Sequence, residues 1–157
     1  MHSKTKTKNI LMEIISLLFI LLFVYAAVSK LLEYEQFKIQ IGQSLLLGAY
    51  AGLLAWGVPA VEILISFLLM FPKTRLGGLY ASSGLMSLFT LYIVATLYFS
   101  ENIPCSCGGV LDQLGWGEHL IFNIIFLLLG LSGILLTHMR KDNTELIHKS
   151  KKKFIAQ

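Results

Sequence analysis

The run ILMEIISLLFILLFVYAAVSKLL, from Ile10 to Leu32, decides the fold class. It is almost unbroken in its apolar character, and its two charges, Glu13 and Lys30, stand near its ends. About 20 such residues suffice to cross a bilayer as a helix. Three further runs of comparable length follow, at about 50–71, 76–99 and 119–138. The expectation is an all-α membrane protein, a bundle of four transmembrane helices forming a single domain over residues 1–157. Residues 139–157 are expected to form a polar, lysine-rich cytoplasmic tail.

Composition agrees with this reading. The chain has 157 residues, is 55% hydrophobic and 14% charged, and has a mean hydropathy of +0.71. Soluble domains are about 45–50% apolar and about 25% charged. Four spans use nearly the whole length, which excludes enzymes that need a separate soluble catalytic domain. The net charge of +4 does not point to nucleic acid, because the basic residues gather at the two termini and in one short loop.

That clustering sets the expected orientation. With both termini cytoplasmic, the inner side holds Lys4, Lys6, Lys8, Lys73, Arg75, Arg140, Lys141, Lys149, Lys151, Lys152 and Lys153. The outer side holds only Lys30 and Lys38, and the connection 100–118 has no Lys or Arg. The expected compartment is the bacterial cytoplasmic (inner) membrane. Lys4 to Lys8, the first apolar run and Ala27-Val28-Ser29 resemble a cleaved signal peptide, but the run exceeds a signal core of about 7–15 residues, so an uncleaved first helix is expected.

The outer connection carries the only two cysteines, in Pro104-Cys105-Ser106-Cys107-Gly108-Gly109. Extracytoplasmic thiols oxidise readily. A disulfide between residues i and i+2 closes a small, strained ring, and such bonds exchange easily instead of acting as staples. Its entropic contribution is also small, since that term grows with loop length. Pro104 and Gly108-Gly109 favour a tight turn. Three readings stay open: a redox dithiol, a metal thiolate site, and a merely structural pair. For a metal, His119 is the one obvious further ligand and nothing completes the shell, so no metal site is assigned.

His119, behind Trp116-Gly117-Glu118, shares a helical face with Asn123. It either tunes thiol ionisation or sits as an interfacial polar residue beside Trp116. Glu62 lies deep in the second helix, in Pro59-Ala60-Val61-Glu62, and an unpaired carboxylate there is costly. Lys30 is its candidate partner. With Tyr50 as the outer end, Glu62 lies about 18 Å deep, so direct pairing requires the second helix to start later than that. A structural pair and a proton or quinone role are the alternatives for Glu62. Pro59 removes one helix hydrogen bond nearby. Glu13 and His138 fall near the cytoplasmic interface. In the third helix Gly77/Ala81, Gly78/Ser82 and Ser83/Ser87 are small-xxx-small pairs that allow close helix packing.

Taken in order, Ser29-Lys30-Leu31, Pro59-Ala60-Val61-Glu62, the Pro104–Gly109 motif, and His119 with Asn123 resemble the methylamine-utilisation MauE-like branch of the DoxX-like membrane proteins. The resemblance implies a small four-helix membrane bundle. It also implies a role near extracytoplasmic thiol–disulfide chemistry beside a thioredoxin-like partner, the founding family being tied to maturation of methylamine dehydrogenase. Two functions follow as expectations. In the first, Cys105 and Cys107 pass electrons or disulfides to a thioredoxin-like or disulfide-containing secreted protein. In the second, the chain is a non-enzymatic accessory or assembly subunit whose Cys-x-Cys is only structural. No cofactor motif is evident; because the chain lacks a second cysteine pair for internal relay, the redox reading needs either direct exchange with a quinone or a partner that supplies the second dithiol. A small transporter has only Glu62 in its favour.

Overall fold

The computed structural model describes the backbone of residues 2–44, 47–99 and 116–155, and side chains within 10–44, 47–98 and 117–139. Five α-helices follow in order: α1 (His2–Leu32), α2 (Tyr34–Gly42), α3 (Ala51–Met70), α4 (Arg75–Phe99) and α5 (Trp116–Ile155), with a 3-10 turn at Gly48–Tyr50 before α3. No strand occurs among the described residues. Four stretches are long and apolar enough to cross a membrane: Ile10–Leu32, Gly48–Met70, Arg75–Tyr98 and Gly117–Met139.

Each span buries one stripe at helical spacing. On α1 the stripe is Met12, Ile15, Phe19, Phe23 and Ala27; on α3 it is Ala55, Pro59, Glu62, Ile65 and Leu69. The steps of three and four residues keep these side chains on one face. Ile15, Phe19 and Phe23 meet Ile65 and Leu69 of α3, Leu79 and Met86 of α4, and Ile134 of α5 in one core. The opposite faces remain strongly apolar, with Leu17, Leu21, Leu53, Leu64, Leu88, Leu91, Ile121 and Leu135 all exposed. Water would not tolerate such a surface, and a bilayer solvates it.

The small residues of α4 divide by face. A Cβ on Gly78 would stand 2.9 Å from Leu69 Cδ2 and 3.1 Å from the Leu69 backbone nitrogen, so α3 and α4 touch closely here. On α5, a Cβ on Gly130 would collide with Ser83 Oγ of α4 and lie 3.3 Å from Phe19 Cζ. Ser82 is fully buried and donates to Gly78 O at 2.7 Å. Gly77 and Gly84, by contrast, have open space around them.

Three features depart from the sequence-based expectation. First, α2 was not anticipated: it is too short to span, yet Tyr34, Phe37 and Ile41 recur at steps of three and four, and they pack on Ala51, Leu54, Ala55 and Val58 of α3. Second, α1 reaches back to His2, beyond the apolar run. Third, the expected polar tail continues α5 to Ile155. No Pro or Gly interrupts residues 134–155, and basic residues near the C-terminus complement the helix dipole. At 40 residues, α5 is about 60 Å long, roughly twice the apolar thickness of a bilayer.

Close approach at Gly78 makes a specific prediction. Gly78→Ala should destabilise the bundle by about 1–3 kcal/mol through overpacking against the α3 backbone. Gly84→Ala, on the open face of the same helix, should be neutral or mildly stabilising. Unfolding of the purified variants in mixed micelles checks the contrast, and equal behaviour would contradict the packing described.

Candidate functional site

Lys30 arises from the last turn of α1 and Glu62 from the fourth turn of α3. Lys30 Nζ donates to Glu62 Oε1 at 2.8 Å and reaches Ala26 O at 3.4 Å. Glu62 is fully buried and Lys30 nearly so. The ammonium also lies 5.8 Å from the Phe37 ring centre and 5.9 Å from that of Phe89, where ring quadrupoles attract a cation. An ion pair at this depth needs such multiple satisfaction, because lipid offers neither charge any solvation.

The pairing is achieved differently from what the sequence led us to expect. The second spanning helix does not start late: α3 begins at Ala51, right after the 3-10 turn. Instead α1 stops deep. The chain then climbs back alongside α3 as α2, with the Tyr34 ring 5.3 Å from that of Trp56 near the start of α2. By the end of α2, a Cβ on Gly42 would lie 3.9 Å from the Cβ of Ala51. α2 thus runs antiparallel to the first turns of α3 and lowers the end of α1 to the level of Glu62.

A partly open cavity of about 380 Å³ lies at this end of the bundle. All four spans and α2 line it, mostly with aliphatic and aromatic side chains. Its polar lining includes Lys30, Glu62, Gln40, His119 and Asn123. His119 and Asn123 come from the first two turns of α5, one turn apart, so both face the same space. Asn123 is 3% exposed. Its Nδ2 and the second carboxylate oxygen of Glu62, Oε2, are buried with no hydrogen-bond partner among the described residues. Buried polar atoms are rarely left so, and both of these residues line this cavity.

Cys105 and Cys107 lie outside the described residues. Their segment joins α4 to α5, and Tyr92 on α4 and His119 on α5 both line the cavity. Among the described residues, no three His, Cys, Asp or Glu side chains cluster as metal ligands would. At the other end of the bundle, His138 is exposed and its Nε2 stands 2.9 Å from Tyr80 Oη, while Glu13 is exposed. Sequence reasoning named Lys30, Glu62, His119 and Asn123 but missed the cavity itself. The signal for one wall was present in the spacing of Phe37 and Ile41, which was not read because α2 is too polar to span.

Removing one member of the buried pair should cost more than removing both. Glu62→Leu or Lys30→Met alone should destabilise by about 3–5 kcal/mol, and the two substitutions together should recover most of that. A double-mutant cycle on unfolding in micelles measures this, and simple additivity would contradict a direct pair.

Comparison with protein families supplies the remaining finding. The family model described as methylamine utilisation protein MauE matches residues 8–136, from just before the first span to three residues short of the end of the fourth. Comparison with curated proteins and with solved structures gave no significant match. The family points to a role in methylamine utilisation for a multi-pass membrane protein. With the match reaching all four spans, the chain belongs to the methylamine utilisation protein MauE family.

Proposed function

We propose that this MauE-family chain is a thiol–disulfide exchange protein of the bacterial inner membrane, with both termini cytoplasmic and Cys105 and Cys107 facing outwards. The carrying observation is where the only two cysteines fall. They occupy the connection between α4 and α5, the two helices whose neighbouring ends place Tyr92 and His119 on the polar cavity. The eleven-to-two distribution of Lys and Arg described above supports the orientation.

The step is an exchange that needs no further oxidant. One thiolate of the pair attacks a disulfide sulfur of a thioredoxin-like or secreted partner, and the partner's S–S bond breaks. The displaced partner sulfur leaves as a thiolate and takes up a proton. The second cysteine then attacks the mixed disulfide, which yields a Cys105–Cys107 disulfide and a partner dithiol. Two electrons have passed to the partner, and the reverse sequence returns them. His119, at the start of α5, is assigned to accept the thiol proton.

Single serine variants test this reading. Removing the resolving cysteine, either Cys105→Ser or Cys107→Ser, should trap a partner as a mixed disulfide that disappears on reduction. The doubly substituted protein should lose exchange while keeping its helicity and membrane insertion. Full retention of function by the double variant would overturn the redox reading and leave the accessory-subunit role in its place.

A further inference from the structure

The cavity has an entrance and an unmet hydrogen-bonding demand, and together these define an occupant. Two of its lining residues, Tyr25 of α1 and Leu88 of α4, are exposed, at 43% and 63%, in the middle of their spans. The cavity therefore opens on the lipid-facing surface between α1 and α4. What enters must be soluble in the bilayer.

The polar end is deep. Counting from Ala51 to Glu62 and from Trp116 to Asn123, it lies about 16 Å and about 10 Å from the respective helix starts. A charged phospholipid headgroup would have to leave the interface to reach it. A neutral polar group would not. It must accept a hydrogen bond from Asn123 Nδ2 and donate one to Glu62 Oε2, the two orphans. A hydroxyl or carbonyl on a ring meets these needs: a carbonyl accepts from the amide, and a hydroxyl serves both groups. Phe89 and Phe122 among the lining residues give flat apolar surfaces against which a ring packs. The volume of about 380 Å³ exceeds the roughly 150 Å³ that holds benzene, leaving room for ring substituents and the start of a tail.

We infer that the cavity is a binding site for a lipid-soluble quinone and its quinol, with Asn123 Nδ2 donating to a ring oxygen of either form and Glu62 Oε2 accepting from the quinol hydroxyl. The choice of a quinone over a plain long-chain alcohol rests on the thiol reading above. Oxidation of the Cys105–Cys107 dithiol to a disulfide releases two electrons and two protons, and a quinone that takes up both becomes a quinol. The binding claim itself stands on the cavity alone.

The test uses the full chain in phospholipid nanodiscs, titrated with decylubiquinone and read as heat against empty nanodiscs. Saturable binding at one quinone per chain is expected. Asn123→Leu should weaken it at least ten-fold. Ala26→Trp, which fills the cavity from α1, should abolish it, and Leu91→Ala on the lipid face should leave it unchanged. Circular dichroism and gel filtration establish that each variant is folded. Cys105→Ser with Cys107→Ser should bind as the wild type does, so a failure of the thiol reading leaves this result intact. Likewise, a failure of quinone binding leaves the mixed-disulfide experiment intact. Three results would each overturn the proposal: no saturation above empty nanodiscs, equal displacement of the quinone by decanol, or unchanged affinity in both Asn123→Leu and Ala26→Trp.

Discussion

Burying a carboxylate inside a membrane is the constraint from which the rest of this structure follows. Glu62 has no water to turn to, so it needs a cation within hydrogen-bonding distance, and Lys30 Nζ supplies it at 2.8 Å. Lys30 belongs to the end of α1, which must therefore stop far below the start of α3. α2 exists to cover that difference, carrying the chain back along α3 with Phe37 and Ile41 packed on its first turns. The pair thus sets the register of two spans, and the short helix that accommodates it also walls the cavity.

The same constraint divides the bundle into two regions of different chemistry. Towards the Gly78 and Gly130 contacts the helices approach closely, with glycine and serine opposite Leu69, Ser83 and Phe19. Towards α2 the spans separate around the cavity, and Lys30, Gln40, Glu62, His119 and Asn123 converge there, with Tyr92 from α4. Tight packing at one end holds the spacing at the other. A site with unsatisfied donors and acceptors survives because the rest of the bundle is apolar and well filled. The chain belongs to a family linked to methylamine utilisation, and in this chain the pocket is lined from both helices that the cysteine-bearing connection joins.

Much of this was legible in the residues, for physical reasons that can be named. The four spans follow from long apolar runs, which are too long and too unbroken for barrel strands and satisfy their own backbone in lipid as helices. Glu62 and Lys30 stood out because charges are rare in such runs. Depth was not legible. Counting residues from Tyr50 put Glu62 out of reach of Lys30, since nothing in a one-dimensional count shows that α1 ends low. α2 escaped because its apolar face has few large residues, and only contact with α3 makes it stable. The helical continuation of α5 past His138 was hidden by its polarity, which says where a segment sits and not which backbone it adopts. The orphaned atoms of Asn123 and Glu62 required three dimensions altogether.

The central claim is that Cys105 and Cys107 form an exchangeable dithiol on the outer face, and the redox state of these two residues in intact cells tests it most directly. Differential alkylation with a membrane-impermeant thiol reagent, titrated against defined potentials, reads side and midpoint together. The account predicts a disulfide that becomes labelled from outside after mild reduction, with a midpoint between about −270 and −120 mV, where exchange catalysts operate. Thiols that stay reduced, that label only after the membrane is broken, or that form a bond resisting mild reduction would contradict it.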